Sequence, residues 1–429
     1  MKTALQSTLI VITLLGLVGC ARPGGGTVLA QSVQSDKERV TSPNVSTSDL
    51  VELVNGNSAF AFDLYHFLRK EKDGNLFYSP YIISLALAMT YAGARGETAQ
   101  QMADTLHFTL PQDRLHPAFN SLNLELASRG EGAQGKDSKG FRLHIANAIW
   151  GQQGHKFLPT FLDTLAENYG ARLRLLDFAG NPEASRVTIN DWVSDQTEGK
   201  IKNLIPQGVI GEWTRLVLTN AVYFNAAWAE PFKEDLTTDG PFHLLDGSQV
   251  TVPMMRQTTS FGYAEGEGYQ AVELPYDGRE LAMVILLPAA GKFEAFENSL
   301  DAGKVEAIIE NLNYRKVALT MPKFEVESYF SLADALAAMG MPVAFSRGAD
   351  FSGMDGTRNF RISNVIHKAF VSVDEGGTEA AAATAVVMVP IGMPAPAVEV
   401  TVDRPFIFLI RDIETDAILF IGRVVNPGS

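Results

Sequence analysis

Apolar residues recur at helical spacing from Asp49 to Arg69, at Leu50, Leu53, Val54, Phe60, Phe62, Leu64, Phe67 and Leu68, so the folded body is expected to open on an amphipathic helix. Ser79-Pro80 starts a second apolar stretch, Tyr81 to Ala92, stopped by Gly93. Proline in the first turn and glycine just past the last are the punctuation a helix needs. A further helix is expected around Leu122 to Leu126, and the polar, glycine-rich run Glu131 to Gly140 reads as a loop. The period then changes. Phe141 to Trp150 and Leu216 to Phe224 alternate as half-buried strands do. Leu281 to Leu287 is a continuous apolar run closed by Pro288, which suits a strand buried on both faces. Val317 to Met321 and Val398 to Val402 read as strands, and Phe406 to Ile410 and Ile418 to Val424 as a closing pair around an Ile413-to-Ala417 turn. Helices and strands mix without a regular βαβ period, so the fold class is α+β. No composition shift divides the body, and one domain is expected over residues 49–429.

The N-terminus follows a different pattern. Lys2 precedes an apolar stretch, Leu9 to Val18, too short to span a bilayer comfortably, and it reads as an export signal over residues 1–19. Leu17-Val18-Gly19-Cys20 resembles a bacterial lipobox, which implies cleavage before Cys20 and a diacylglyceryl group on its thiol. Cys20 is the single cysteine of the 429-residue chain, so no disulfide and no CxxC metal site exist. The implied location is a bacterial cell envelope or surface, reached through a lipid anchor on the membrane and not a spanning helix, or else simple secretion. Residues 20–48 are rich in Gly, Ser, Thr, Val and Gln with little periodicity, and are expected to be a flexible tether.

Charge and motif content narrow the chemistry. The net charge of -14 and the absence of a basic block disfavour nucleic acid, whose phosphates need a basic surface. There is no GxSxG elbow, no HExxH and no Walker-type loop, and the glycine-rich stretches lack the strand-to-helix setting of a phosphate cradle. The seven histidines are scattered; His107 and His116 lack ligand spacing. No catalytic residue, metal site or cofactor is expected.

What stands out instead is the run from Val373 to Val387. Glu375-Gly376-Gly377-Thr378-Glu379-Ala380-Ala381-Ala382-Ala383-Thr384 leads into β-branched Val386-Val387, and Pro390, Pro394 and Pro396 follow. A glycine hinge, small side chains and a proline-broken end describe a segment that is a strand in one state and exposed in another. Four consecutive alanines favour helix, but Gly376-Gly377 before them and the valines after them oppose a stable one.

Several ordered motifs of the body resemble the serpin family. They are Asn75-Leu76-Phe77-Tyr78-Ser79-Pro80 with Gly93-Ala94-Arg95-Gly96-Glu97-Thr98, Asn190-Asp191-Trp192-Val193 with Thr197-Glu198-Gly199-Lys200-Ile201, and Thr219-Asn220 with Tyr223-Phe224 and Trp228. Met321-Pro322-Lys323-Phe324, Ala349-Asp350-Phe351-Ser352-Gly353, Ile366-His367-Lys368-Ala369 and Asp403-Arg404-Pro405-Phe406 continue the order to the end of the chain. The resemblance implies a large central mixed β-sheet with two further sheets, about nine helices and an exposed reactive-centre loop over about residues 375–397. It implies a monomer that inhibits serine endopeptidases by suicide: the protease cleaves the loop, and the loop inserts into the main sheet before the acyl-enzyme can hydrolyse. The partner is then the target protease, held as a covalent acyl complex.

Strand alternation divides an inserting segment into two faces. Thr378, Ala380, Ala382, Thr384, Val386 and Met388 carry no charge, and by family analogy they turn to the core; Glu379, Ala381, Ala383, Ala385, Val387 and Val389 form the other face. The family's spacing from its hinge glutamate, which Glu375 matches, implies a reactive bond at Ile391–Gly392, with Met388 and Met393 as alternatives. An aliphatic residue before the bond suits elastase-like or subtilisin-like enzymes, a methionine chymotrypsin-like or elastase-like ones, and no Arg or Lys lies between Glu379 and Arg404 to suit trypsin-like ones. Ser79, Asn220 and His367 match the family's hydrogen-bonded shutter, with Ile82 standing where many members have serine. Leu106 to Arg129 has few basic residues, against a heparin-type activator. A non-inhibitory serpin-fold binding protein and a cross-class inhibitor of a cysteine protease are the alternative readings.

Overall fold

The computed structural model describes residues 30–130, 142–378 and 396–428. A short strand, β1 (Gln31–Val33), precedes α1 (Thr47–Glu71). Ser46 caps α1, its hydroxyl accepting from the Asp49 N–H, which satisfies one of the free donors of the first turn. β2 (Leu76–Tyr78) leads into α2 (Pro80–Tyr91), α3 (Gly96–Leu106) and α4 (Gln112–Ser128). Every residue of α2 is buried, as expected for a helix apolar all round. β3 (Arg142–Gln152), α5 (Pro159–Tyr169), β4 (Leu173–Leu176), α6 (Pro182–Gln196) and β5 (Leu216–Ala227) follow. Next comes a mostly antiparallel series, β6 (Thr238–His243), β7 (Gln249–Gly266), β8 (Tyr269–Pro275) and β9 (Leu281–Pro288). The chain continues through α7 (Phe293–Asn298), α8 (Ala302–Glu310), β10 (Asn313–Pro322), β11 (Phe324–Ser331), α9 (Ala333–Met339), α10 (Pro342–Phe345) and α11 (Ser352–Asp355). It ends in β12 (Asn364–Val373), β13 (Gly377–Thr378), β14 (Val398–Thr401), β15 (Phe406–Asp412) and β16 (Ile418–Val424).

The first sheet runs β1-β4-β3-β5-β13-β12-β11. It is mixed, because β3 with β4 and β5 with β12 are parallel while the other neighbours are antiparallel. One face packs on the large core around α1 and α2. The other is covered by α6, where Trp150, Ile189, Val193 and Val217 share a smaller core. Being buried on both faces explains why β5 is apolar or small almost throughout. The second sheet runs β14-β10-β7-β8-β9-β15-β16-β2, with β6 on β7. The two further sheets therefore form one hydrogen-bonded surface, joined through the 18 residues of β7.

Helices number eleven among the described residues, the short α10 and α11 having no periodic signal of their own. The helix expected around Leu122 to Leu126 is the last part of the longer α4, whose start is polar and contains Pro117. Of the tether expected over residues 20–48, the described part, residues 30–48, lies against the body. Ala30 packs on the smaller core and Gln31, Ser32 and Val33 ladder with Leu175, Arg174 and Leu173 of β4. Main-chain hydrogen bonds hold this segment, so its polar composition gave no sign of it. Among the described residues no helix is long and apolar enough to cross a membrane.

Candidate functional site

The centre of the first sheet is a closed seam below and an opened one above. β5 and β12 pair directly from Val217↔Asn364 to Tyr223↔Phe370. Beyond that point β13 lies between them, with Gly377↔Ala227 and Thr378↔Ala226 on one side and Thr378↔Val373 on the other. The hinge of the Val373-to-Val387 run is thus wedged into the top of the sheet.

A tight reversal makes this possible. The Asp374 N–H donates to the Gly377 carbonyl at 2.9 Å, and the Asp374 carboxylate accepts from the Gly376 N–H at 2.8 Å. Gly377 is needed for close approach: a Cβ there would lie 2.2 Å from the Ala226 oxygen and 2.6 Å from the Ala227 Cα. Burial raises the Asp374 carboxyl. Trp228 fastens the turn from the side, its ring N–H donating to the Asp374 carbonyl at 3.0 Å and its main-chain N–H to the Gly376 carbonyl at 2.9 Å. Glu375 accepts from Thr237 Oγ1 at 2.7 Å and from Lys323 Nζ at 2.8 Å. Burial alone would raise its carboxyl, but the hydrogen bonds from Lys323 and Thr237 outweigh that and hold it below the usual range. Thr378 is fully buried, and its hydroxyl meets the Tyr276 hydroxyl at 3.0 Å. Tyr276 in turn stacks on Trp228 with ring centroids 4.7 Å apart. The Thr378 side chain therefore faces the large core, to which Tyr276 belongs.

Lower in the seam, Ser79, Asn220 and His367 come together. Asn220 and His367 are register partners across β5 and β12. The Ser79 main-chain N–H donates to His367 Nε2 at 3.1 Å, so that nitrogen carries no proton and Nδ1–H donates to Asn220 Oδ1. Full burial pushes the His367 imidazole down to about 3, which keeps it neutral. Ser79 Oγ donates to the Leu419 carbonyl at 2.6 Å and caps α2 by accepting from the Ile82 N–H. Asn220 Nδ2 donates to Asn147 Oδ1 at 3.0 Å, and Asn147 Nδ2 donates to the Ile82 carbonyl at 3.2 Å. Ile82 thus contributes main-chain groups where a serine side chain is usual. Asn147 was missed in the sequence, although an asparagine inside the alternating run Leu143 to Trp150 was a visible signal. Thr237, Lys323 and Tyr276 were also missed as site residues; each comes from a strand or turn remote in sequence from the hinge.

On the far side of the undescribed residues, Val398 opens β14 in the second sheet and pairs with Val317. Glu379, Ala380, Ala381, Ala382, Ala383, Thr384, Met388, Ile391, Gly392 and Met393 lie outside the described residues, as do Cys20 and the Glu131-to-Gly140 loop.

Comparison with known proteins places this architecture. Residues 55–427 match the family model described as serpin (serine protease inhibitor). An uncharacterized serpin-like protein of Thermococcus kodakarensis is 43% identical over 380 residues, 87% of this chain and 86% of the relative. The human leukocyte elastase inhibitor is 40% identical over 387 residues, 88% of this chain and 100% of the relative. The crystal structure of human thyroxine-binding globulin superposes with a TM-score of 0.79 at 31% identity, covering 89% of this chain and 100% of that one. The family model spans the body from α1 to the last strand, and the chain belongs to the serpin family, whose members include inhibitors of proteases and not enzymes.

Proposed function

We propose that this serpin is a suicide-type inhibitor of serine endopeptidases of elastase-like, subtilisin-like or chymotrypsin-like specificity, cleaved at Ile391–Gly392. The observation that carries the reading is the register of β13. Extending Thr378↔Ala226 along β5 pairs Ala380 with Phe224, Ala382 with Val222, Thr384 with Asn220 and Val386 with Leu218. Extending Thr378↔Val373 along β12 pairs Ala380 with Val371, Ala382 with Ala369 and Thr384 with His367. Both ladders bring Thr384 between Asn220 and His367. Insertion must break that pair, which would leave buried polar atoms unsatisfied at about 1–3 kcal/mol each, and the Thr384 hydroxyl arrives where a replacement partner is needed.

Alternation from Thr378 turns Ala380, Ala382, Thr384, Val386 and Met388 toward the large core. Each new ladder hydrogen bond contributes about 1 kcal/mol net and ordering each residue costs about 1–2 kcal/mol, so these terms nearly cancel. Burial of Val386 and Met388, at about 1.5–3 kcal/mol each, then sets the sign. A charge on that face would reverse it, and none is present. The protease supplies the nucleophile; the inhibitor supplies stored free energy in its uninserted sheet.

Mixing with pancreatic elastase or subtilisin tests this on a denaturing gel, with mass spectrometry of the released C-terminal peptide. A covalent adduct and a peptide starting at Gly392 are expected; cleavage with full retention of protease activity would sink the reading. We also infer export and lipid attachment at Cys20. With Ala30 bound to the body, ten chain steps from Cys20 reach at most about 35 Å, keeping the sheet edge close to the membrane. Labelled lipid is expected in the wild type and absent from Cys20→Ser; a wild type without label removes the anchor.

A further inference from the structure

The bound N-terminal segment touches both sides of what insertion must move. β1 adds a strand to the outer edge of the first sheet through β4. The chain then crosses to the helices. Ser35 Oγ donates to Asp163 on α5. Arg39 Nε donates to Asn120 Oδ1 at 2.8 Å and Nη2 to Asn123 Oδ1 at 2.7 Å, both on α4. The Val40 N–H donates to the Glu167 carbonyl at 2.9 Å, and its own carbonyl accepts from Asn120 Nδ2 at 2.7 Å. Val45 packs on the large core and Ser46 caps α1.

Asn120 makes this contact specific. It is 0% exposed, and both ends of its side-chain amide are met by the segment, the oxygen by Arg39 and the nitrogen by Val40. The nitrogen also donates to the Glu167 carbonyl at 3.3 Å, but the oxygen's bond comes from Arg39 and the nitrogen's shorter bond from Val40, so loss of the segment leaves the buried amide under-satisfied.

To admit the loop, β5 must separate from β12 by one strand spacing, about 4.8 Å. β1, β4, β3 and β5 are laddered together and form one half. α4 packs on α1 and on α2; α2 lies across β3 and β5 as well as β16, while α1 packs on α9 and β16 and α9 on β12, so α4 reaches the other half through α1. Residues 30–46 bridge the two halves over a few residues, and hydrogen bonds of 2.7–2.9 Å do not survive shifts of several ångströms.

We propose that residues 30–46 are a latch that holds the sheet at its native width and sets the lifetime of the uninserted state. Fastened, the latch resists premature self-insertion of the uncleaved loop; unfastened, it lets the sheet open. The inference rests on the insertion reading above and adds a device to it.

The test uses two full-length variants, Arg39→Ala, which removes the two guanidinium bonds to α4, and the double variant Ser32→Pro/Val33→Pro, which puts proline at an inward-facing N–H of edge strand β1 whichever way the strand alternates. Each is held well below its unfolding temperature, and the fraction converted to a form that unfolds at higher temperature and resists loop cleavage is followed with time. Both variants are expected to convert at least about tenfold faster than wild type, a difference of about 1.4 kcal/mol in the barrier. Once the loop has been cleaved, variant and wild type are expected to unfold at similar temperatures, because the widened sheet no longer uses the latch. Unchanged conversion in both variants, or equal destabilisation of native and cleaved forms, overturns the latch alone. A wild-type protein that gains no stability on loop cleavage overturns the insertion reading and the latch together.

Discussion

Asn220 and His367 face each other across the closed part of the β5–β12 seam, joined by a hydrogen bond from a histidine that burial keeps neutral. Whatever opens the sheet must break this contact, and its chemistry makes the seam sensitive to pH. The folded-state imidazole lies near 3 against about 6.5 unfolded. A base with a depressed folded value contributes stability that is present above pH 6.5 and lost as pH falls toward 3. His116, buried against Tyr169 and pushed down to about 4, has the same sign.

Native stability is therefore expected to decline between about pH 6.5 and 4 with a slope of about 1.4 kcal/mol per pH unit for each of the two histidines. Denaturant unfolding at half-unit pH steps checks this. His367→Gln should remove one histidine's share of the slope; an unchanged slope would show that His367 is not the neutral buried group described.

A charge on the core-facing edge of the inserting segment should convert the inhibitor into a substrate. Ala382 takes the register of Val222 and Ala369, both fully buried, when the β13 ladders are extended. Ala382→Arg would place a guanidinium among them, at a cost above what any one residue of the loop gains by burial. Titration against elastase is expected to show at least about tenfold more inhibitor consumed per enzyme inactivated. Wild-type stoichiometry would contradict the register.

Gly377 is held to glycine by the backbone of β5 and not by turn geometry alone. In Gly377→Ala the added carbon meets the Ala226 oxygen and the Ala227 Cα, so the hinge should withdraw from the sheet. Trp228, which donates to the Asp374 and Gly376 carbonyls, reports this directly. A red shift of its emission and slower inhibition are expected, and wild-type fluorescence would show the hinge still seated.

Glu375 fixes the same hinge by bonding to Lys323, between β10 and β11, and to Thr237, just before β6. Glu375→Lys sets two ammonium groups against each other where a partly exposed pair stood. A loss of about 1–2 kcal/mol of native stability is expected. Because the Glu375 carboxyl is held below its usual value, the wild type's advantage is present above pH 4.5 and shrinks as pH falls below it. Thermal unfolding of both proteins at pH 7 and pH 4 measures the difference.

The sequence made the sheet strands legible wherever burial wrote itself into side chains. β16 matches its expected bounds and β9 differs by one residue, because strands buried on both faces leave continuous apolar runs; β5, expected from alternation as half-buried over Leu216 to Phe224, runs on to Ala227 and is buried on both faces. What stayed hidden was carried by main chain or by pairs distant in sequence. β1 is held by ladder bonds that polar Gln31 and Ser32 make as well as any residue. Arg39 finds its partners 81 and 84 positions away, so no local pattern marks it. The shutter residues were found through family resemblance, since an isolated serine, asparagine and histidine have no spacing that would join them. Asn147 was legible as a polar break in an apolar strand, but its role depends on Asn220 and Ile82, which only the fold brings beside it.

Inhibition by the proposed route requires the loop to enter the first sheet between β5 and β12. Thermal unfolding of the wild-type protein before and after loop cleavage tests this most directly. Insertion along the register of β13 adds a central strand and buries Thr384, Val386 and Met388, so the cleaved protein is predicted to unfold at least about 10 °C higher than the intact one. An unfolding temperature unchanged or lowered by cleavage would contradict it.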